Sequence, residues 1–380
     1  MSRFFDLVSK PAREMGGFFP APPPRLAYAD HHKTQLIKLD SNENPFGPSP
    51  NVIEAMHAAV AAASFYPDDD CAELRGKLAA HHDMRREQVL VTAGSTAMLG
   101  LLCQTMLAPG VNAVTSERSF IVYSMAVRAT GAGLVEAPMR EDGIDLEAIL
   151  SAINEDTRLV FLANPNNPTG TMLDAAEVDK FIADVPGHVV VVLDEAYQEF
   201  ALHFAPRRKV EYPRSLDYVR QGASVVVLRT FSKAHGLAGL RVGYGLGPAE
   251  LLAYCASMRE TYSVSSVAQA AAMVALEDVK HVERVVANNA EQAQILGVAL
   301  SELGYRVVPT AANFLYCDVG EDAFGVAERL RNEGISVRPL AAWGAPQCIR
   351  VSIGTPEQNQ IFLSAVRKIA GTAQRQTARK

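Results

Sequence analysis

The sequence predicts an α/β fold, with a large domain built on a mostly parallel sheet and a smaller α+β domain. The chain has 380 residues, which exceeds one typical domain. Strand-like and helix-like segments alternate from residue 52 to about residue 275, and a different pattern follows. We therefore expect an N-terminal arm at 1–50 that partly joins the small domain, a large domain at 51–275 and a small domain at 276–380.

Composition and charge favour a small-molecule enzyme, although any acidic globular protein has similar values. Hydrophobic residues make up 48% and charged residues 21% of the chain, and the formal net charge is −6. This charge gives no electrostatic reason to expect a nucleic acid or an anionic membrane as partner. No apolar run approaches the ~20 residues of a membrane span. The five cysteines show no metal-ligand spacing, so we expect no metal, no disulfide framework and a cytoplasmic location.

The elements follow in order along the chain. The run PAPPP at 20–24 predicts an extended arm, and SNENPFG at 41–47 indicates an ordered end to it. Between the strands lie helical stretches such as Ser95–Leu107 and Ala175–Val185. Apolar runs typical of buried strands are Val89–Thr92, Ala113–Ser116, Gly133–Pro138, Leu159–Ala163, Val189–Asp194, Ser224–Leu228 and Arg241–Gly245.

The last hundred residues predict the smaller domain. A long amphipathic helix is expected at Val279–Leu303. Four short strands are predicted at Tyr305–Val308, Phe314–Asp318, Ser336–Arg338 and Cys348–Ile353. Two further helices are predicted at Phe324–Asn332 and Pro356–Ala370.

The candidate chemistry lies where strands end, because ligands of open α/β sheets bind outside the carboxyl ends of the strands. VVVVLDEAY at 189–197 ends a buried strand on Asp194. A buried carboxylate needs a partner, which a protonated pyridine nitrogen would supply. The alternative is an aspartate that caps the next helix.

A second strand end carries a lysine among anion-binding groups. Thr230, Ser232 and Lys233 follow the strand at 224–228, and a glycine-rich turn leads to Arg241. Hydroxyls and a guanidinium around one lysine can hold a phosphate beside a Schiff base. A lone lysine in this position is usually only solvated, so the prediction depends on the cluster.

Three further loops offer weaker signals. VTAGSTAML at 91–99 starts a helix, so the amides of Ser95 and Thr96 can bind an anion. ANPNNPTG at 163–170 lets Asn167 donate to a phenolate oxygen, although such turns are common. Phe120 can lie against a flat ring or can be an ordinary core residue.

In this order and at these separations, NNPTG, LDEAY, RTFSKAHGLAGLRVGY and IRVSIGT resemble the fold-type I pyridoxal-phosphate aminotransferases. SNENPFGPSP, FYPDDDCAELRGKLA and PNNPTGT are similar to the histidinol-phosphate branch of that family. The resemblance spans about residues 36–370. It implies the aminotransferase type I fold, with a seven-stranded, mostly parallel sheet, pyridoxal 5'-phosphate as cofactor, and a homodimer with shared active sites.

The resemblance also implies a role for each site residue. Lys233 forms the Schiff base and carries the proton, Asp194 pairs with the pyridine nitrogen, and Tyr197 and Asn167 bind the ring oxygen. Phe120 stacks on the ring, and Tyr66 reaches the phosphate from the neighbouring subunit. Arg350, Arg338 and Asn44 contact the substrate. Residues that hold the phosphate are Ser95, Thr96, Thr230, Ser232 and Arg241.

The reaction that the resemblance implies is transamination by ping-pong kinetics between an amino donor, most simply histidinol phosphate, and 2-oxoglutarate. Two segments depart from the branch. The arm PAPPPRLAYAD lacks the Tyr/Pro-Gly pattern that is common there, and Tyr28 is the candidate to replace that tyrosine. RETYSVSSVAQ at 259–269 stands where the branch carries an RxPFNVN-like run. An aromatic amino acid aminotransferase and a decarboxylase of a phosphorylated amino acid therefore remain alternatives. A nicotinamide-dependent dehydrogenase is disfavoured, because VTAGSTAM lacks the GxGxxG pattern.

Overall fold

A computed structural model describes residues 7–15 and 36–377, with backbone only for 371–377. Tyr28 therefore lies outside the described residues. The described chain forms a seven-stranded sheet, a separate four-stranded sheet and helices that cover them. No helix in these described ranges is long and apolar enough to cross a membrane.

The large sheet is mostly parallel, as predicted. Its strands are β2 (Val89–Thr92), β3 (Asn112–Ser116), β4 (Gly133–Ala137), β7 (Thr157–Ala163), β8 (Val190–Asp194), β9 (Val225–Thr230) and β10 (Gly243–Leu246). The order is β2-β10-β9-β8-β7-β3-β4, and only β10 runs antiparallel to its neighbours. The predicted strand at Arg241–Gly245 begins two residues late, because Arg241 adopts a left-handed backbone with φ of 52°.

Valine-rich strands buried on both faces explain why this sheet lies inside the molecule. Val191 packs into the apolar cluster on one face, whereas Val192 packs into the cluster on the other. The helices of this part are Pro50–Val60, Ala72–His81, Ser95–Met106, Val122–Ala129, Leu146–Ala152, Ala175–Asp184, Gln198–Arg207, Ser215–Arg220, Ala249–Ser257 and Ser266–Glu277. A short helix, Lys10–Met15, precedes them.

The described residues also contain three short 3₁₀ helices and one two-stranded hairpin. The 3₁₀ helices are Arg86–Gln88, Ala238–Leu240 and Ala341–Trp343. The hairpin is formed by β5 (Met139–Arg140) and β6 (Gly143–Ile144).

The C-terminal part contains an antiparallel sheet of four strands. These are β11 (Arg306–Val308), β12 (Phe314–Asp318), β14 (Arg338–Leu340) and β15 (Ala345–Ser352), and they lie in the order β11-β12-β15-β14. The helices of this part are Val279–Glu302, Ala323–Asn332 and Pro356–Thr377.

The single strand predicted at Ser336–Arg338 is wrong, because the chain changes sheets at the buried Val337. Ile335–Ser336 forms β13, which pairs in parallel with β1 (Ile37–Lys38). Arg338 instead pairs with Arg350 in the four-stranded sheet. The N-terminal segment therefore joins the C-terminal part, while the domain limits at 50 and 275 remain predictions.

Candidate active site

The carboxyl ends of the parallel strands bring the predicted residues to one edge of the large sheet. Asp194 is the last residue of β8 and Lys233 lies three residues beyond β9. Asn167 follows β7, and Phe120 follows β3. These loops converge because neighbouring parallel strands end at the same edge.

Asp194 is a buried carboxylate, only 5% exposed. Its Oδ2 accepts a hydrogen bond from the Tyr123 hydroxyl at 2.9 Å, and its Oδ1 accepts one from the Ala196 amide at 3.2 Å. Burial raises the pKa of Asp194 to about 6, although the hydrogen bond from Tyr123 opposes this rise. Among the described residues, the hydrogen bonds to this carboxylate come from neutral donors, so it is complementary to a cation.

Tyr123 was not predicted from the sequence. It lies within the helix Val122–Ala129, and its ring stacks on Phe161 at 4.9 Å between centroids. Phe120 packs edge-on against the Tyr123 ring at 5.6 Å between centroids, so it lies next to the residue that donates to Asp194. A tyrosine three residues after Phe120 suggests a shared helix face, but nothing in the spacing indicates its contact with Asp194.

Lys233 projects between the loops and the N-terminal segment. Its Nζ donates to the backbone oxygens of Ser41 and Asn42, both at 3.3 Å. Burial, and after it the neighbouring charge of Arg350, lowers the pKa of Lys233 to about 7. An amine with this pKa is partly neutral near pH 7, as a nucleophile or proton carrier must be.

Tyr197 lies close to Lys233, whose Nζ is 5.5 Å from the centre of the Tyr197 ring. The Tyr197 hydroxyl accepts a hydrogen bond from Asn42 Nδ2 at 2.9 Å. Sequence analysis missed Asn42 and selected Asn44 in the same SNENP motif. The Asn44 side chain instead donates to the backbone oxygen of Ala234, next to Lys233.

The predicted phosphate-binding residues form one cluster. Arg241 Nη1 donates to Ser232 Oγ at 3.4 Å, and Ser232 Oγ accepts from Thr230 Oγ1 at 3.0 Å. The helix that begins with Ser95 and Thr96 points its first amides, which have no partner within the helix, towards this edge.

Gly94 joins the two halves of this cluster. Its φ is +84°, and a Cβ placed there would lie 2.5 Å from Arg241 Nη2. Only glycine allows the guanidinium to approach the helix start so closely. Hydroxyls, a guanidinium and helix amides around a glycine cradle fit a phosphate group.

Arg350 lies on β15 and is 6% exposed. Its Nη1 donates to Asn167 Oδ1 at 2.6 Å and its Nη2 to the backbone oxygen of Asp40 at 2.9 Å. Its Nε has no hydrogen-bond partner among the described residues. Arg338, opposite Arg350 in the sheet, donates to the same Asp40 oxygen at 3.4 Å. Two neighbouring cations of this kind can bind an anionic substrate.

Tyr66 is the predicted site residue that the chain does not bring to this cluster. It is 82% exposed, and its ring stacks on Tyr262 at 4.5 Å between centroids. Arg259 and Asp69, three residues from these two tyrosines in the chain, form an ion pair at 3.0 Å. The segment around Tyr66 thus packs on the surface against the segment around Tyr262.

The residues present fit pyridoxal phosphate in three separate respects. The cradle at Gly94 accommodates a phosphate, the buried Asp194 can pair with a pyridinium nitrogen, and the amine of Lys233 interacts electrostatically with both Asp194 and Arg241. No group of three or more potential metal ligands occurs among the residues described.

Comparisons with known proteins agree with this geometry. A protein of Pseudomonas fluorescens named histidinol-phosphate aminotransferase 2 is 40% identical over 97% of this chain and 99% of its own. Its namesake from Pseudomonas aeruginosa is 43% identical over 88% of this chain and 89% of its own. The histidinol-phosphate aminotransferase of Sinorhizobium meliloti, solved in complex with pyridoxal-5'-phosphate, has a TM-score of 0.87 and 29% identity, covering 98% of this chain and 99% of its own. The family model for aminotransferase class I and II matches residues 34–366, and the chain belongs to this family.

Proposed function

We propose that this protein is a pyridoxal-phosphate-dependent transaminase that transfers the amino group of histidinol phosphate to 2-oxoglutarate. One observation carries the proposal: the buried carboxylate of Asp194 and the amine of Lys233, whose charges interact, lie with the phosphate-binding cluster where the parallel strands end, a region called the cleft below. The names of the relatives that match nearly the whole chain support histidinol phosphate as the amino donor.

Residues of the cleft would hold the cofactor at each of its polar groups. Asp194 would pair with the pyridine nitrogen, Tyr197 and Asn167 with the ring oxygen, and Phe120 would lie against the ring. The residues that would hold the phosphate are Ser95, Thr96, Thr230, Ser232 and Arg241. Bound there, pyridoxal phosphate supplies an electron sink for the bond that breaks at the substrate's α-carbon.

Lys233 would attach the cofactor and then act as the proton carrier. Its Nζ accepts the proton that leaves the substrate, because burial and Arg350 favour its neutral form. The backbone oxygens of Ser41 and Asn42 hold the ammonium that results. Protonation of this amine is therefore coupled to the N-terminal segment.

Arg350 and Arg338 would bind the anionic end of each substrate. Histidinol phosphate offers a phosphate and 2-oxoglutarate offers carboxylates, and both match a guanidinium fork. The unpartnered Nε of Arg350 is the donor that such an anion would engage. Asn44, close to the Lys233 loop, is a weaker candidate for substrate contact.

The proposal includes a homodimer in the cytoplasm. Tyr66 is exposed beside Phe65 and Tyr262. In a dimer that covers this patch, Tyr66 of one subunit would reach the phosphate site of the other subunit. Five buried free cysteines are consistent with a reducing compartment. Sedimentation analysis tests the dimer. Mixed dimers of Tyr66→Ala and Lys233→Ala chains should regain one intact site.

Covalent mapping and turnover assays test the proposal together. The purified protein, loaded with pyridoxal phosphate and reduced with borohydride, should carry the added mass on Lys233 alone. A separate sample that has not been reduced should convert histidinol phosphate with 2-oxoglutarate, and Lys233→Ala should neither carry the added mass nor catalyse this conversion. A protein that binds no pyridoxal phosphate would refute the proposal, whereas preference for phenylalanine would assign it to aromatic amino acids. Release of carbon dioxide from a phosphorylated amino acid would make it a decarboxylase.

A further inference from the structure

Asn42 connects four parts of the cleft. It is 1% exposed and has a left-handed backbone with φ of 56°. Its Nδ2 donates to the Tyr197 hydroxyl, and its backbone oxygen accepts from Asn313 Nδ2 at 3.0 Å and from Lys233 Nζ at 3.3 Å. Its amide donates to Ser352 Oγ at 2.7 Å. One residue of the N-terminal segment thus contacts two candidate catalytic groups directly.

The hydroxyl of Ser352 fixes the orientation of the Asn42 side-chain amide. Ser352 Oγ accepts from the Asn42 backbone and donates its own proton to Asn42 Oδ1 at 3.2 Å. With the side-chain amide reversed, this proton would lose its acceptor among the hydrogen bonds of the described residues. The oxygen of the side chain therefore faces Ser352, and its NH₂ group faces Tyr197.

Asparagine alone combines the properties that this position requires. The side chain must accept from Ser352 and donate to Tyr197, which aspartate cannot do. It must also tolerate the left-handed backbone, which disfavours residues other than glycine, asparagine and aspartate. Glycine fits the backbone but has no side chain. The position is therefore specified by hydrogen bonding rather than by volume.

We propose that Asn42 is a positioning residue that forces the Tyr197 hydroxyl to donate its proton into the cleft. Because Asn42 already donates to the phenol oxygen, Tyr197 has to send its single proton elsewhere. The acceptor in that direction is the ring oxygen of the bound cofactor, so the inference rests on the proposed function. A hydroxyl that donates there favours the ionised ring oxygen, which binds more tightly and titrates at lower pH.

A double-mutant cycle tests this role. Asn42→Asp and Asn42→Gly are prepared in the wild-type and the Tyr197→Phe backgrounds. For each protein, the Kd of pyridoxal phosphate is measured by equilibrium dialysis, and the visible absorbance of the bound cofactor is titrated with pH. An aspartate in place of Asn42 would accept the Tyr197 proton and turn it away from the cleft, whereas a glycine removes the donor without adding charge.

With Tyr197 present, both substitutions should raise the Kd about tenfold, and Asn42→Asp should raise the pH midpoint of the absorbance change by about one unit. With Tyr197→Phe, the Kd should change less than about twofold. A shift of the pH midpoint that Asn42→Asp still causes in the Tyr197→Phe background measures the effect of the added charge alone. Equal effects in the two backgrounds would overturn the role of Asn42.

Asn289→Asp is the matched control. Asn289 is also a buried asparagine, and its Nδ2 donates to the backbone oxygen of Ala312 at 3.0 Å. Asn289→Asp should lower the free energy of unfolding, and its effect on the Kd of the cofactor should be the same in the wild-type and the Tyr197→Phe backgrounds. If the wild-type protein fails to bind pyridoxal phosphate, the proposed function fails. If it binds and the cycle is additive, only the inference on Asn42 fails.

Discussion

Replacement of Asp194 by asparagine in the cofactor-free protein should reveal the cost of burying its charge. The pKa of this carboxyl is raised from 3.8 to about 6, which corresponds to about 3 kcal/mol in favour of the neutral acid. The folded state binds the proton more tightly, so this cost is absent below pH 3.8 and complete above pH 6. Asparagine does not titrate and avoids it.

The two proteins should therefore differ in how their stability responds to pH. The free energy of unfolding of Asp194→Asn, relative to wild type, should increase by about 1 kcal/mol between pH 5 and pH 7. The variant also loses an acceptor for Tyr123 or for the Ala196 amide, but that loss is the same at each pH. Urea unfolding of both cofactor-free proteins at pH 5, 6 and 7 measures the difference.

A stability difference that stays constant or shrinks as the pH rises would contradict the raised pKa. With pyridoxal phosphate the order should reverse, because the carboxylate then gains its cation. Asp194→Asn should bind the cofactor about 100-fold more weakly, as expected when one partner of a buried charge pair is removed. Equal affinities would show that Asp194 does not face the pyridine nitrogen.

Three further substitutions or measurements follow from the same site. Tyr123→Phe removes the hydrogen bond that lowers the pKa of Asp194, so the decline of stability should extend to higher pH; an unchanged profile would contradict this contact. Gly94→Ala should cost about 1–2 kcal/mol because of its positive φ, and it should weaken cofactor binding at least about tenfold because its Cβ displaces the Arg241 guanidinium. Gly110→Ala, with open space at a φ of +97°, should lose similar stability but leave binding unchanged. In the cofactor-free protein, acylation of Lys233 followed by peptide mass spectrometry should reach half its maximal rate near pH 7, and a midpoint near 10.5 would show an unperturbed amine.

The sequence was sufficient to predict the large sheet, because its central strands, such as β8 and β9, are continuous apolar runs that are buried on both faces. It also indicated Asp194, which ends such a run, and Lys233, which follows one within a cluster of hydroxyls and an arginine. The predicted strand at 336–338 was wrong because the switch between two sheets at Val337 depends on β1, a partner about 300 residues earlier.

The missed residues share one property, which is that their roles arise from contacts between distant segments. Asn42 lies 155 residues from Tyr197, and Tyr123 lies 71 residues from Asp194. Local pattern cannot separate Asn42 from Asn44, which stand two positions apart in one turn-rich motif. Only the fold shows which amide reaches the phenol.

The most direct test of the proposed activity is the first half-reaction, followed in a single turnover. The cofactor-loaded protein is mixed with histidinol phosphate in one cell and with phenylalanine in another, without any 2-oxo acid. Histidinol phosphate should rapidly remove the visible absorbance of the bound cofactor and release one equivalent of the keto product. The Lys233→Ala variant should release no keto product. Absorbance that persists with histidinol phosphate but disappears with phenylalanine would contradict the proposed donor.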